Sequence, residues 1–187
     1  MGVYLNPGND GFKMALNSKI YVDKSGLISY TNSVLKTEQR FVCVSRPRRF
    51  GKSMAANMLT AYYEKDIDSS EMFQGLSISQ DEMFKKHLNK YNVVFLNIQT
   101  FLSRTHDIMK LRSMIEKSLL RDLMKVYPDI DYLDQSDLIS SLMIIYGKKR
   151  LGTRFIFIID GMGLLFSVKI GMMQRDRRFI LTLYAIS

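Results

Sequence analysis

The chain has no tryptophan, one cysteine, two histidines and three prolines among its 187 residues. A single thiol closes no internal disulfide. Cys43 also falls in an apolar run, so it reads as a small core residue of a disulfide-free, cytoplasmic protein. His87 and His106 stand far apart with no cysteine or carboxylate at metal-ligand spacing, which argues against a zinc-type centre. No apolar run is long enough to cross a bilayer, and the N-terminus lacks the basic-then-apolar layout of a signal peptide. Internal repeats and low-complexity tracts are missing too. With 47% hydrophobic and 24% charged residues, the chain has what one globular domain with a real core requires.

Acids are also in short supply, and the net charge is +9. Such an excess invites a nucleic-acid partner. Two local sources account for much of it. Arg46, Arg48, Arg49 and Lys52 supply four charges within one short loop, and residues 161–187 carry Lys169, Arg175, Arg177 and Arg178 against Asp176 alone. A nucleic-acid partner therefore stays open without being required.

What is present is organised around residues 40–53, R-F-V-C-V-S-R-P-R-R-F-G-K-S. The β-branched run at 41–44 predicts a buried strand, and the M-A-A-N-M-L-T-A run from Met54 predicts a helix. Strand, loop, G-K-S, helix is the layout of a phosphate-binding loop. In that layout Gly51 lets the backbone approach a phosphate, Lys52 reaches the terminal phosphates, and the Ser53 hydroxyl is placed to ligate Mg²⁺. The match is partial, because Arg46 stands where the motif has its first glycine, and a basic turn is the plainer alternative. Arg46, Arg48, Arg49 and Phe50 complete the candidate nucleotide-binding set.

Along the rest of the chain, N-P-G-N-D-G at 6–11 is turn chemistry and 20–24 reads as a short extended piece. Asp23 and Lys24 read as solvated turn charges, and Ser25 as the cap of a helix over 26–36. Residues 66–79 read as a loop and 81–88 as a short helix. Tyr62 and Tyr63 read as packing residues. A second buried strand is predicted over 92–98, an amphipathic helix over 107–126, and a further helix over 137–146 closed by Gly147. Lys148, Lys149 and Arg150 read as the solvated end of that helix. The run R-F-I-F-I-I-D at 154–160 is apolar on both faces and ends in an acid, so it predicts a buried parallel strand that delivers Asp160 to Mg²⁺ at the sheet's edge.

These segments resemble the predicted AAA-ATPase-like family of bacterial proteins. The resemblance rests on Y-L-N-P-G-N-D-G-F at 4–12, I-Y-V-D-K-S at 20–25, R-P-R-R-F-G-K-S at 46–53 and F-I-F-I-I-D at 155–160. It implies an α/β fold with an AAA-like parallel sheet and flanking helices, in which a later strand lies between the 41–44 and 155–160 strands. It implies ATP and Mg²⁺ as cofactors. Relatives often continue into a PD-(D/E)XK nuclease-like domain, which nothing after Asp160 resembles here. They also have D-E-W-D where this chain has D-G-M-G, so the glutamate that activates water is missing and slow hydrolysis is expected.

Residues 161–187 differ in character from 1–160, and the two stretches are read as an N-terminal ATPase-like part and an aberrant tail that leaves the sheet incomplete. If D-G-M-G is encoded GAT-GGA-ATG-GGA, deleting one G yields D-E-W-D. A second single-base deletion near Phe166 lets an acidic, helix-like continuation be read, and the encoding DNA decides the matter. In the tail only 179–186 reads as extended, and unless it fills the gap the chain is expected to be insoluble or molten. Three functions follow: an ATPase, a nucleotide-responsive module that does not hydrolyse, or an inactive fragment of a disrupted gene.

Overall fold

Two apolar runs lie side by side as parallel strands at the centre of the molecule. They are β1 (Asn92–Asn97) and β2 (Phe155–Asp160), in register from Asn92 opposite Phe155 to Asn97 opposite Asp160. The computed structural model describes residues 2–44, 50–105, 107–130, 138–147 and 154–161. Side chains alternate across a strand, so each run feeds two cores. Val94, Leu96, Phe155, Phe157 and Ile159 join one, while Val93, Ile156 and Ile158 join the other. That is why both runs are apolar throughout rather than alternating: the sheet is covered on both faces.

The first covering layer comes from before β1: α1 (Asp10–Leu16), α2 (Gly26–Val34), α3 (Lys52–Tyr63) and the single turn α4 (Phe84–His87). The second comes from between the strands: α5 (Ile98–Leu102), α6 (Ile108–Val126) and α7 (Leu138–Gly147). The spacing of Leu111, Leu119, Leu120 and Leu123 places them on the buried side of α6, with Ile115 partly covered beside them. On the opposite side of the sheet, α2 and α3 share a buried polar chain. Thr31 Oγ1 meets the Tyr63 hydroxyl at 2.6 Å, Tyr63 donates to Asn32 Oδ1, Asn32 Nδ2 donates to the Tyr62 hydroxyl, and Tyr62 donates to the Phe84 carbonyl. Tyr62 and Tyr63 thus pack, as the sequence predicts, and their hydroxyls are satisfied internally.

The N-terminal segment forms a strap along β1. Leu5 bridges Val94 in antiparallel sense, the Asn6 N–H donates to the Val93 carbonyl (2.8 Å), and the Phe95 N–H donates to the Tyr4 carbonyl (2.8 Å). Three acids from elsewhere pin it. Asp122 Oδ2 accepts from the Tyr4 and Leu5 N–H groups, Asp66 Oδ2 accepts from Asn6 Nδ2, and Glu64 Oε2 accepts from the Gly8 N–H. Asn6 sits at a φ of +51°, where a short side chain that bonds the local backbone is favoured; its Oδ1 takes the Val93 N–H at 2.7 Å.

Several sequence-based expectations are corrected. Residues 41–44 form no strand: Phe41 and Cys43 are exposed and only Val42 is buried. A β-branched run is a strand only when a neighbour pairs with it. Among the described residues β1 and β2 make the only ladder, and 41–44 does not join it. The turn expected at 6–11 already contains the start of α1 at Asp10. The loop expected over 66–79 holds 3₁₀ turns at Ser70–Phe73 and Ser77–Gln80. Ser25 precedes α2 but does not cap it with its side chain, because Ser25 Oγ accepts from the Ile78 N–H instead. Gly147 is the last residue of α7 rather than the residue after it. The expectations for Lys148–Arg150, the 179–186 extended segment and the tail after Gly161 lie outside the described residues.

Candidate functional site

The site is built where α3 begins. Gly51 adopts a φ of +72°, a left-handed conformation that a residue without Cβ takes freely, and it turns the chain into α3. Lys52 and Ser53 are then the first two helical residues. The first-turn N–H groups of a helix have no partners inside it, and they carry the positive end of its dipole. The Ala55 N–H to Gly51 carbonyl bond (3.0 Å) closes the first turn.

Asp160 arrives from the other direction. β2 carries it to the C-terminal end of the sheet, where it is 7% exposed and opposite Asn97 of β1. Across 107 residues of chain, Ser53 Oγ donates to Asp160 Oδ2 at 2.6 Å. A hydroxyl and a carboxylate, both hard oxygen donors of the kind Mg²⁺ accepts, therefore share one place beside the α3 N-terminus. Gly161 follows at a φ of +92° and brings no side chain to the position after Asp160.

A cavity of about 600 Å³ is lined by Gly51, Lys52 and Ala55 at the start of α3; Ser53 and Asp160 are not among its lining residues. Leu27, Val44, Phe50 and Ala55 give it apolar walls; Asp23, Lys24, Lys52 and Ser77 give it polar ones. Phe50, included in the candidate set for its position in the loop, is largely exposed at the cavity's side. Arg46, Arg48 and Arg49 lie outside the described residues.

Asp23 is exposed and Lys24 half-buried at the 23–25 turn, but both also bond residues far along the chain, which the sequence reading as solvated turn charges does not include. Asp23 Oδ2 accepts from the Ser77 N–H (2.8 Å) and from the Ser77 hydroxyl, while Asp23 Oδ1 accepts from the Ser25 N–H (2.8 Å). Partial burial pushes the Asp23 carboxyl upward, but the bonds from Ser77 and Ser25 outweigh it and hold the pKa at about 2. Lys24 Nζ donates to the Phe50 carbonyl at 2.6 Å. Both contacts span long stretches of chain, and the adjacency of D-K to a serine was the sole local signal. Among the described residues, no three His, Cys, Asp or Glu side chains cluster to hold a metal by themselves, and no helix is long and apolar enough to cross a membrane.

Residues 9–162 match the AAA-ATPase-like family model, described as "Predicted AAA-ATPase". No curated protein and no solved structure matches the chain significantly.

Proposed function

The chain belongs to the predicted AAA-ATPase family, and from that premise we propose that it binds ATP with Mg²⁺ at the N-terminus of α3. In this reading Lys52 meets the β- and γ-phosphates, Ser53 and Asp160 hold Mg²⁺ directly or through its waters, and Arg46, Arg48 and Arg49 neutralise phosphate charge. When bound, the ion would supply positive charge against the phosphates. The residues of the chain orient the nucleotide around it.

The observation that carries the reading is the Ser53–Asp160 hydrogen bond. A bare G-K-S is compatible with any basic turn, and a strand-ending aspartate with any loop. The convergence of the two from 107 residues apart is what a nucleotide–metal site needs and what a basic turn does not explain. The cavity that Gly51 and Lys52 line, about 600 Å³, lies in the range of small-molecule sites.

Gly161 favours a second, narrower version, in which the chain binds nucleotide and hydrolyses it slowly or not at all. General bases commonly contribute about 10²–10⁴-fold to rate, and the position after Asp160 provides none. Titration calorimetry with MgATP tests the common core: the native chain binds and Lys52→Ala does not. Equal affinity in the two proteins would remove the phosphate-loop assignment. Phosphate release by the native chain then separates the two versions, with turnover near background supporting the nucleotide-responsive module.

A further inference from the structure

Lys24 reaches 26 residues along the chain to bond a backbone carbonyl of the loop itself. Its ammonium stands where a Cβ on Gly51 would have to go, so it lies against the residue that starts α3. A long lysine side chain is usually mobile, and ordering it carries an entropic cost of up to about 2 kcal/mol. Here its backbone is already fixed. The 23–25 turn is held by Ser77 on the Asp23 carboxylate, by the Ser25 N–H on the same carboxylate, and by the Ile78 N–H on Ser25 Oγ.

The placement is electrostatically unusual. A helix N-terminus repels cations, and Lys52 occupies the same first turn. Cationic side chains beside the positive end of a helix dipole suit an anionic ligand. The contact also has a directional effect. Peptides are planar and trans, so fixing the Phe50 carbonyl toward Lys24 fixes the Gly51 N–H in the opposite direction. A cation on the carbonyl further polarises that N–H as a donor.

We propose that Lys24 is a positioning residue of the phosphate site, holding the Phe50–Gly51 peptide from outside the loop so that the α3 N-terminus is set to receive a polyphosphate. The proposal rests on the nucleotide reading above and names what fixes its loop, where Arg46 replaces the motif's first glycine. The role belongs to the phosphate end of the ligand, so its removal discriminates among ligands by their phosphates.

The test is calorimetric titration of the 187-residue chain, and of Lys24→Met, Lys24→Arg and Lys52→Ala, with MgATP, ADP and adenosine. Lys24→Met is expected to weaken MgATP about tenfold, ADP less, and adenosine less than twofold, whereas Lys24→Arg, which still donates to the carbonyl, recovers most of the loss. A purely structural role would weaken adenosine as much as ATP and would not be rescued by arginine, and either result overturns the proposal. Unchanged ATP affinity in Lys24→Met, with binding abolished in Lys52→Ala, overturns Lys24 while leaving the nucleotide site standing. A native chain that binds no ATP removes the nucleotide reading and this proposal together.

Discussion

Glu64→Gln is expected to stabilise the fold by about 3 kcal/mol at pH 8 and to change it little at pH 4. Glu64 ends α3 and is 1% exposed. One carboxylate oxygen accepts the Gly8 N–H at 2.8 Å; the other has no hydrogen-bond partner among the described residues. Burial drives its pKa from 4.5 up to about 7, with the Gly8 bond opposing the rise and the nearby Asp66 charge adding to it. At about 1.4 kcal/mol per pH unit, that interval amounts to about 3 kcal/mol. The fold prefers the protonated acid. Below pH 4.5 the folded and unfolded chains both carry the proton and nothing is lost. Between pH 4.5 and about 7 the unfolded chain ionises first, so stability falls as pH rises, and above that range the loss is complete. Glutamine retains an acceptor for the Gly8 N–H and never ionises. Urea denaturation of both proteins at pH 4, 6 and 8 gives the comparison, and thermal midpoints at pH 8 should differ by roughly 6–12 °C. A Glu64→Gln protein less stable than the native one at pH 8, or a difference independent of pH, would refute the reasoning.

Three further outcomes follow from particular contacts. Tyr62→Phe leaves Asn32 Nδ2 and the Phe84 carbonyl without the hydroxyl that joins them and should cost about 1–3 kcal/mol in a denaturation midpoint. Gly2→Ala places a Cβ 2.6 Å from Asp122 Oδ2 and 2.8 Å from the Leu5 carbonyl oxygen; a loss of about 1–3 kcal/mol is expected, with faster hydrogen exchange at the Tyr4 and Leu5 amides. Replacing Gly161, Met162 and Gly163 by Glu, Trp and Asp, so that D-E-W-D begins at Asp160, followed by an in-frame continuation, should raise phosphate release at least ~10²-fold over the present chain, and equal rates would show that the glutamate is not what the site lacks.

The sequence was most legible where one residue's neighbours along the chain settle its environment. Phe155–Asp160 is apolar at every position, and only a strand covered on both faces has a use for that pattern. Ser53 and Asp160 were picked out by separate local patterns, and the fold brings them within 2.6 Å. The segment 41–44 had equal β-propensity and failed, because propensity does not supply a pairing partner. Asp10 was hidden by the turn residues that precede it, although a helix often begins directly after such residues. Asp23, Lys24 and Glu64 were illegible for a different reason. Their roles lie in bonds to Ser77, Phe50 and Gly8, partners 54, 26 and 56 positions away, and no local pattern encodes a contact at that range.

The strap along β1 has a consequence for the order in which the molecule assembles. Its residues leave the ribosome well before their partners Val93 and Asp122, which come 87 to 118 positions later. At about 5–20 residues per second, Tyr4 and Leu5 wait roughly 6–24 s before the carboxylate that anchors them has been made. During that interval the beginning of the chain carries unpaired backbone groups and an uncovered Leu5. The strap is thus made long before it can be ordered, and a nascent chain halted before Asp122 would display it to whatever binds extended, apolar segments.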